Sequence, residues 1–334
     1  MAIASPRRLG GLDQFPIGLG CMGMSDFYGP ADEATSLATI HAALDAGVTY
    51  FDTGDFYGSG HNEMLLGRAI AGKRDRAFVA VKFGALRDPA GGFTGYDLRP
   101  VAIRNFLTMT LKRLGTDHVD LYMPARIPGG VAVEEVAGTI ADLVREGWVR
   151  NFGMSEVGAA TLRRAHAVHP VAALQIEFGL MTRNIEHNGI LDACSELGIP
   201  VTAYGVLSRG LIGGSRADNP RDFRAHSPRF QGGNLVRNTA LAAALAQAAQ
   251  RFGATPAQAA IAWVLSRGRT ILPLIGARTP QRLAEALGTL ALDLDLGPEA
   301  FAAFEAAVPD GAVAGTRYAE EQMQWLDSER APAA

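Results

Sequence analysis

No stretch of this sequence is apolar for long enough to cross a bilayer, and no apolar run stands behind the opening residues Met1 to Arg8. Both absences point to a cytoplasmic protein with no membrane partner. Cysteine is nearly missing: Cys21 and Cys194 form neither a disulfide framework nor a metal-ligand spacing, so two reduced, buried thiols and no bound metal are expected. Charge is sparse as well. With 19% charged residues and a formal net charge of -3, the chain lacks the basic excess of a nucleic-acid binder and the charge blocks of a disordered tail. Small neutral ligands or locally recognised anions are the natural partners. Also missing is a Gly-x-Gly-x-x-Gly turn opening a helix. The near match Gly18-Leu19-Gly20-Cys21-Met22-Gly23 runs on into Asp26-Phe27-Tyr28-Gly29-Pro30, which reads as a loop whose glycines allow a ligand to approach closely.

What is present is alternation. Short apolar runs begin near Pro16 to Leu19, Thr49 to Phe51, Phe78 to Lys82, Val119 to Met123, Val149 to Met154, Val171 to Ile176, Val201 to Tyr204 and Thr270 to Leu274. Helical patterns separate them. Ile103, Leu107, Leu111 and Leu114 recur before Gly115, and Val136, Ile140, Leu143 and Val144 before Gly147. Eight such units close most economically as a parallel (β/α)8 TIM barrel with helices outside, an α/β fold that routinely exceeds about 250 residues as one domain. The expectation is a single domain over residues 1–334. The doubly wound open sheet, its competitor, lacks its glycine turn and a second domain boundary. Two segments exceed ordinary connectors: the βα loop after Tyr204, running to about Asn234, and the tail from Pro309 to Ala334. The loop is expected to fold over a ligand. In the tail, Tyr318 and Trp325 either cap a pocket on the active-site face or pack outside the barrel.

The most informative stretch is Tyr50-Phe51-Asp52-Thr53-Gly54-Asp55-Phe56-Tyr57, followed one unit later by Val81-Lys82-Phe83-Gly84. It sets Asp52, Tyr57 and Lys82 at the carboxyl ends of successive strands, where such a barrel keeps its chemistry. A lysine held near a tyrosine hydroxyl favours phenolate and lowers the phenol from its reference pKa of about 10, while a carboxylate holds the lysine charge in place. That trio suits proton transfer during carbonyl reduction.

These residues resemble the aldo-keto reductases, and the likeness extends over nearly the whole chain. The family's tetrad is Asp, Tyr, Lys and His, of which Asp52, Tyr57 and Lys82 are present in Phe51-Asp52-Thr53 and Tyr57-Gly58 contexts. Where the family usually has His-Arg, this chain has Ala125-Arg126. His118 does not substitute: seven residues back at about 3.3 Å each, it lies roughly 20 Å away at the other end of the barrel, read as an exposed residue entering a strand. His166 and His169 fall on and just after the helix Ala159 to Val168.

The resemblance implies a bound NADPH/NADP+, with NADH admitted as an alternative. Ser155, Gln175 and Tyr204 would hold the nicotinamide, although Glu156 stands where the family commonly has Asn. Gly23 and Met24 in the first loop, and Leu207 and Gly210 in the long loop, would line the cofactor. Gly276, Arg278, Arg282 and Glu285 would receive its phosphates and adenine, glycine admitting backbone amides and arginine bracketing a 2′-phosphate. Tyr28, Ala125 and Arg126 would border the substrate, a small-molecule carbonyl or alcohol. A pyridoxal reductase-like branch also resembles the chain in its Ala-Arg pair and in Ser155-Glu156-Val157, which makes pyridoxal or an aryl aldehyde a lead. Two other readings stand beside the reductase: a cofactor-bearing barrel with weak turnover acting as a sensor or scaffold, and a Schiff-base lyase using Lys82 as nucleophile. A homo-oligomer is compatible with all three.

Overall fold

The short apolar runs become strands that alternate their side chains between two apolar layers. In a computed structural model that describes residues 4–329 except 216, 218, 220, 221 and 293–295, the barrel strands are β1 (Gly18–Gly20), β2 (Tyr50–Gly54), β3 (Phe78–Phe83), β4 (Val119–Pro124), β5 (Val149–Ser155), β6 (Val171–Glu177), β7 (Val201–Tyr204) and β8 (Ile271–Gly276). Each pairs in parallel with the next, and β8 returns to β1 to close the ring. All eight expected strands are therefore found. Phe51, Val79, Val81, Phe83 and Tyr122 face the helices, while Tyr50, Ala80, Leu121, Met123, Ala173, Leu272 and Leu274 fill the interior. That interior is tight: a Cβ on Gly18 would meet Tyr50 Cδ1 at 2.9 Å.

The outer helices are α1 (Glu33–Asp45), α2 (His61–Ile70), α3 (Pro100–Leu114), α4 (Val133–Arg145), α5 (Ala159–Val168), α6 (Ile190–Leu197), α7 (Gly232–Gln250), α8 (Pro256–Ser266), α9 (Pro280–Leu287) and α10 (Pro298–Ala307). Local sequence sets their ends. In α3, Pro100 opens the first turn, Ile103, Leu107 and Leu114 are buried, and Gly115 closes the helix at φ 64° with its N–H on the Leu111 carbonyl. In α8, Thr255 and Gln258 form a reciprocal capping box. No helix among the described residues is long and apolar enough to cross a membrane. Both cysteines are buried and free.

Two hairpins lie outside the expected pattern. Arg7–Leu9 pairs antiparallel with Leu12–Gln14, and Leu9 joins the interior cluster with Tyr50 and Phe78, so this hairpin plugs the amino-terminal end of the barrel. Its turn, Gly10-Gly11, takes positive φ at both residues, the conformation of a two-residue hairpin loop. At the opposite end, Ala85–Arg87 pairs with Phe93–Tyr96 to raise a wall beside the mouth. His118 corrects an expectation of exposure: it is half-buried just before β4, with Nδ1 2.6 Å from Asp117 Oδ1 and Nε2 3.8 Å from Asp120 Oδ1. Those carboxylates on its own turn draw it in. It remains at the far end of β4 from Ala125. Of the N-terminal reading, residues 1–3 lie outside the described residues, as do 330–334 of the tail.

Candidate active site

The one-to-one register of β2 and β3, running from Tyr50 opposite Phe78 to Gly54 opposite Lys82, brings an acid and a base to the same wall of the barrel mouth. Lys82 Nζ donates to Asp52 Oδ1 at 2.5 Å, and Gln175 Nε2 from β6 donates to Oδ2 of the same carboxylate at 2.7 Å. All three side chains are buried. Both carboxylate oxygens are thus engaged, which is how an interior charge pair becomes tolerable. Burial lowers the lysine pKa and Asp52 opposes that shift.

Tyr57 sits just past β2, held edge-on between Phe56 at 4.8 Å and Phe27 at 5.2 Å. Lys82 Nζ lies 5.2 Å from the centroid of its ring. Its hydroxyl takes no protein hydrogen bond among the described residues, and the residue lines the cavity. The expected depression of this phenol's pKa is not found. Burial, then the charge of Asp52 and the neighbouring Tyr28 and Tyr318, push it well above the ordinary tyrosine range, with Arg126 pulling the other way. The reason is that the lysine charge is already answered by Asp52 and the phenol is desolvated, so the neutral form prevails.

Around this pair opens a cavity of about 950 Å³. Ser155, Gln175 and Tyr204 line it together with Tyr57 and Lys82, so the structure brings those residues to one place. Ser155 Oγ is buried without a hydrogen-bond partner among the described residues. Glu156, where the family that the chain resembles commonly has Asn, does not line the cavity. Its backbone is left-handed at φ 54°, and its carboxylate turns into a network at the rim. Arg317 Nη1 and Nη2 donate to Glu156 at 3.0 and 2.8 Å, Ser328 Oγ at 2.6 Å, Tyr204 Oη at 2.7 Å and the Glu177 N–H at 2.9 Å. Burial alone would raise this carboxyl's pKa, but Arg317 foremost holds it far below the usual carboxylate range. Glu177 is gripped in turn by Arg209 at 3.2 Å and by Arg229 and Arg317 at 3.3 Å.

This network clips the tail onto the barrel. Tyr318 and Trp325 consequently line the cavity, the former joined to Tyr204 Oη at 2.9 Å and the latter 5.7 Å from the Tyr96 ring. The long loop after Tyr204 also lines it, through Leu207, Arg209, Gly210 and Arg224. It meets the first loop where the Phe223 N–H donates to the Phe27 carbonyl at 3.0 Å.

At the β8 side, Gly276, Arg278, Arg282 and Glu285 all line the cavity. Arg278 donates to the carbonyls of Tyr28 and Pro30 and has no carboxylate partner among the described residues. Arg282 pairs with Glu285 at 3.0 Å and is largely solvated. Thr279 caps α9 through the Arg282 N–H. Gly23 borders the cavity, and a Cβ there would come within 3.0 Å of the Tyr28 ring and 3.4 Å of Arg278. Met24 is a correction: a tight turn over Met22–Met24 buries Met24 in the core and gives the lining position to Met22. At the β4 side, Ala125 and Arg126 line the cavity, as Tyr28 does across from them. Arg126 Nη1 donates to the Ala125 carbonyl at 2.6 Å and Nη2 to Tyr318 Oη at 3.2 Å.

Sequence reasoning missed Arg317, Glu177 and Arg209. A lone arginine far from the motifs carries no signal of its partners. Tyr96, in contrast, follows Phe93-Thr94-Gly95, a β-rich run that alternation alone marks as a strand.

The profile of the Aldo/keto reductase family matches residues 16–308. A Glycine max protein named as an aldo-keto reductase is 38% identical over 323 residues, covering 94% of this chain and 91% of its own. The NADP(+) aldo-keto reductase yakc of Schizosaccharomyces pombe is 37% identical over 322 residues, covering 94% of each. Among solved structures, a glycerol dehydrogenase from Gluconobacter oxydans superposes with a TM-score of 0.81 at 28% identity, over 95% of this chain and 98% of that one. An aldo-keto reductase from Klebsiella pneumoniae, solved with NADPH, gives 0.72 at 26% identity, over 94% and 98%.

Proposed function

The chain belongs to the aldo-keto reductase family of oxidoreductase enzymes, and from that premise we propose that it reduces an aldehyde or ketone to an alcohol, with NADPH as electron donor and Tyr57 as proton donor. The observation that carries this is Tyr57, buried beside an ion-paired lysine and lining the cavity, its hydroxyl without a hydrogen bond among the described residues.

The residues present fit the dinucleotide. Ser155 Oγ is a buried hydroxyl on the cavity wall without a partner among the described residues, suited to a carboxamide, and the absence of a side chain at Gly23 lets the Tyr28 ring and Arg278 close up beside it at the cavity's edge. Arg278 offers a guanidinium unopposed by any carboxylate among the described residues, beside the start of α9. The yeast relative is named for NADP(+) and the Klebsiella protein was solved with NADPH, which supports the same choice. When bound, NADPH supplies the hydride.

The chain's own residues do the rest. Tyr57 binds the carbonyl oxygen through its free hydroxyl. Raised well above the ordinary tyrosine range, the phenol stays protonated at neutral pH, yet it remains a far stronger acid than an aliphatic alkoxide's conjugate alcohol. It therefore holds its proton until charge develops on the substrate oxygen. Lys82 places a positive charge under the ring and stabilises the phenolate left behind; Asp52 fixes that ammonium, and Gln175 fixes Asp52. Ala125 offers a methyl group, so no imidazole acts there. The lyase reading leaves the Arg278 guanidinium on the β8 side of the cavity, and Tyr204 beside Ser155 and Gln175, without a task.

A panel of carbonyl compounds including pyridoxal and aryl aldehydes, followed by NADPH absorbance and repeated with NADH, tests the proposal. NADPH-dependent reduction of at least one aldehyde is expected. Absence of turnover across the panel with cofactor bound would favour the sensor or scaffold reading.

A further inference from the structure

The cavity is bordered by six cationic side chains, and four of them are already answered by carboxylates. Lys82 pairs with Asp52, Arg209 with Glu177, Arg224 with Asp222 and Arg282 with Glu285. Two guanidiniums lack an acidic partner among the described residues: Arg278 and Arg126. They occupy opposite sides of the mouth. Arg278 follows β8 and Arg126 follows β4, four strands apart in a closed ring of eight. A phosphate at Arg278 is accounted for by the cofactor reading. Arg126 is not.

Arg126 is half-buried and enclosed by protein. It is held in place rather than neutralised, since its two hydrogen bonds among the described residues go to a carbonyl and a hydroxyl. The ring of Tyr318 lies 5.5 Å from its guanidinium carbon. Of the five N–H groups a guanidinium carries, three remain to be satisfied. The acids that line the same cavity besides Asp52 and Glu285 are Asp32 and Glu321, both exposed at its edge where water screens them. The buried Glu156 carboxylate reaches Arg126 with its charge, but it is bonded to Arg317, Ser328 and Tyr204 and not to Arg126, whose remaining N–H groups a planar carboxylate would answer with paired hydrogen bonds. Tyr57 lies past β2 and Arg126 past β4, and strands about 4.8 Å apart set their backbones roughly 10 Å from each other, with both side chains lining the space between. That span suits a compact bifunctional molecule. Tyr96, Tyr318 and Trp325 supply aromatic walls for its body.

We propose that Arg126 is a specificity-determining residue that binds a carboxylate on the far end of the substrate, so that the preferred substrates are carbonyl compounds bearing a carboxylate across a short planar or apolar body. This rests on the reductase reading of the same site. The small residue at Ala125 leaves room for that body beside the guanidinium.

The test compares 4-carboxybenzaldehyde with the isosteric neutral 4-formylbenzamide in the holoenzyme, reading the ratio of their kcat/KM values. The wild type should favour the acid by about tenfold, the scale of one charge-assisted hydrogen-bonded pair. Arg126→Gln should bring the ratio near one, and Arg126→Lys should retain part of it. A second arm measures binding of benzoate against benzamide to the NADP+-loaded protein by calorimetry, which needs no turnover. Preference for benzoate that depends on Arg126, with no aldehyde reduced, would sink the reductase reading and leave the anion site standing. Equal handling of acid and amide by the wild type in both arms, or a preference unchanged in Arg126→Gln, would overturn the anion site.

Discussion

The floor and the rim of the mouth each hold a buried carboxylate clasped by a buried cation, and they are built in opposite ways. Asp52 and Lys82 stand on adjacent, hydrogen-bonded strands and are separated by 30 residues. Glu156 and Arg317 are separated by 161 residues and meet only because the tail crosses the barrel. Backbone register fixes the first pair. Side-chain contacts alone make the second. The floor should therefore tolerate change in its surroundings while losing chemistry when either partner goes, whereas the rim should lose stability and substrate affinity before it loses chemistry.

The largest effect expected is from Tyr57→Phe, which deletes the free hydroxyl while keeping the ring between Phe27 and Phe56. Turnover should drop by about 10² to 10⁴, the usual worth of a positioned proton donor, with NADPH affinity nearly intact. Undiminished aldehyde reduction would remove Tyr57 from its role. Lys82→Met should also cost activity, and it leaves Asp52 buried without its counter-charge, so urea unfolding should show about 3–5 kcal/mol of lost stability.

At the rim, Arg317→Ala leaves Glu156 buried and unpaired at a strained backbone position. A loss of about 3 kcal/mol is expected, with KM rising more than kcat falls because Tyr318 and Trp325 are no longer clipped over the cavity. Acid should mimic it. Glu156 has a depressed folded pKa, so its stabilisation is present above the ordinary glutamate value of about 4.3 and is lost as pH falls toward the folded value. Unfolding followed across that window should show a steep acid limb in the wild type and a shallower one in Arg317→Ala. The smallest effect concerns the β8 side: Arg278→Ala should weaken NADPH by about tenfold while moving NADH little, measured by fluorescence titration, because a guanidinium brackets only the 2′-phosphate. Equal loss for both cofactors would remove Arg278 from that task.

The same contrast governs what the sequence could tell. All eight strands and the meeting of Asp52 and Lys82 at one wall are legible because short apolar runs between helical patterns and strand-end motifs are local signals, whereas Gln175 reached the cavity reading only through the family resemblance and its bond to Asp52 carried no signal. The N-terminal hairpin carried a local signal too, Leu9-Gly10-Gly11-Leu12 between β-compatible residues. The Glu156, Glu177 and Arg317 network carried none, since each member looks like an ordinary polar residue until the tail is placed. Met22 and Met24 differ only in which way one tight turn faces. The direction of the Tyr57 pKa was misjudged for a related reason. Proximity of a lysine can be read from motifs, but the depth of burial that outweighs it belongs to the assembled cavity.

The central claim is that Tyr57 is a proton donor kept neutral by burial. The most direct measurement is the pH dependence of both directions on one substrate pair, at saturating cofactor. Because the phenol lies well above its ordinary range, carbonyl reduction should stay level from about pH 6 to pH 9, while alcohol oxidation, which needs phenolate, should climb steadily and keep rising past about pH 10. A reduction rate that falls away near neutral pH, together with an oxidation rate that levels off there, would show a phenol titrating below its ordinary value and would contradict the account.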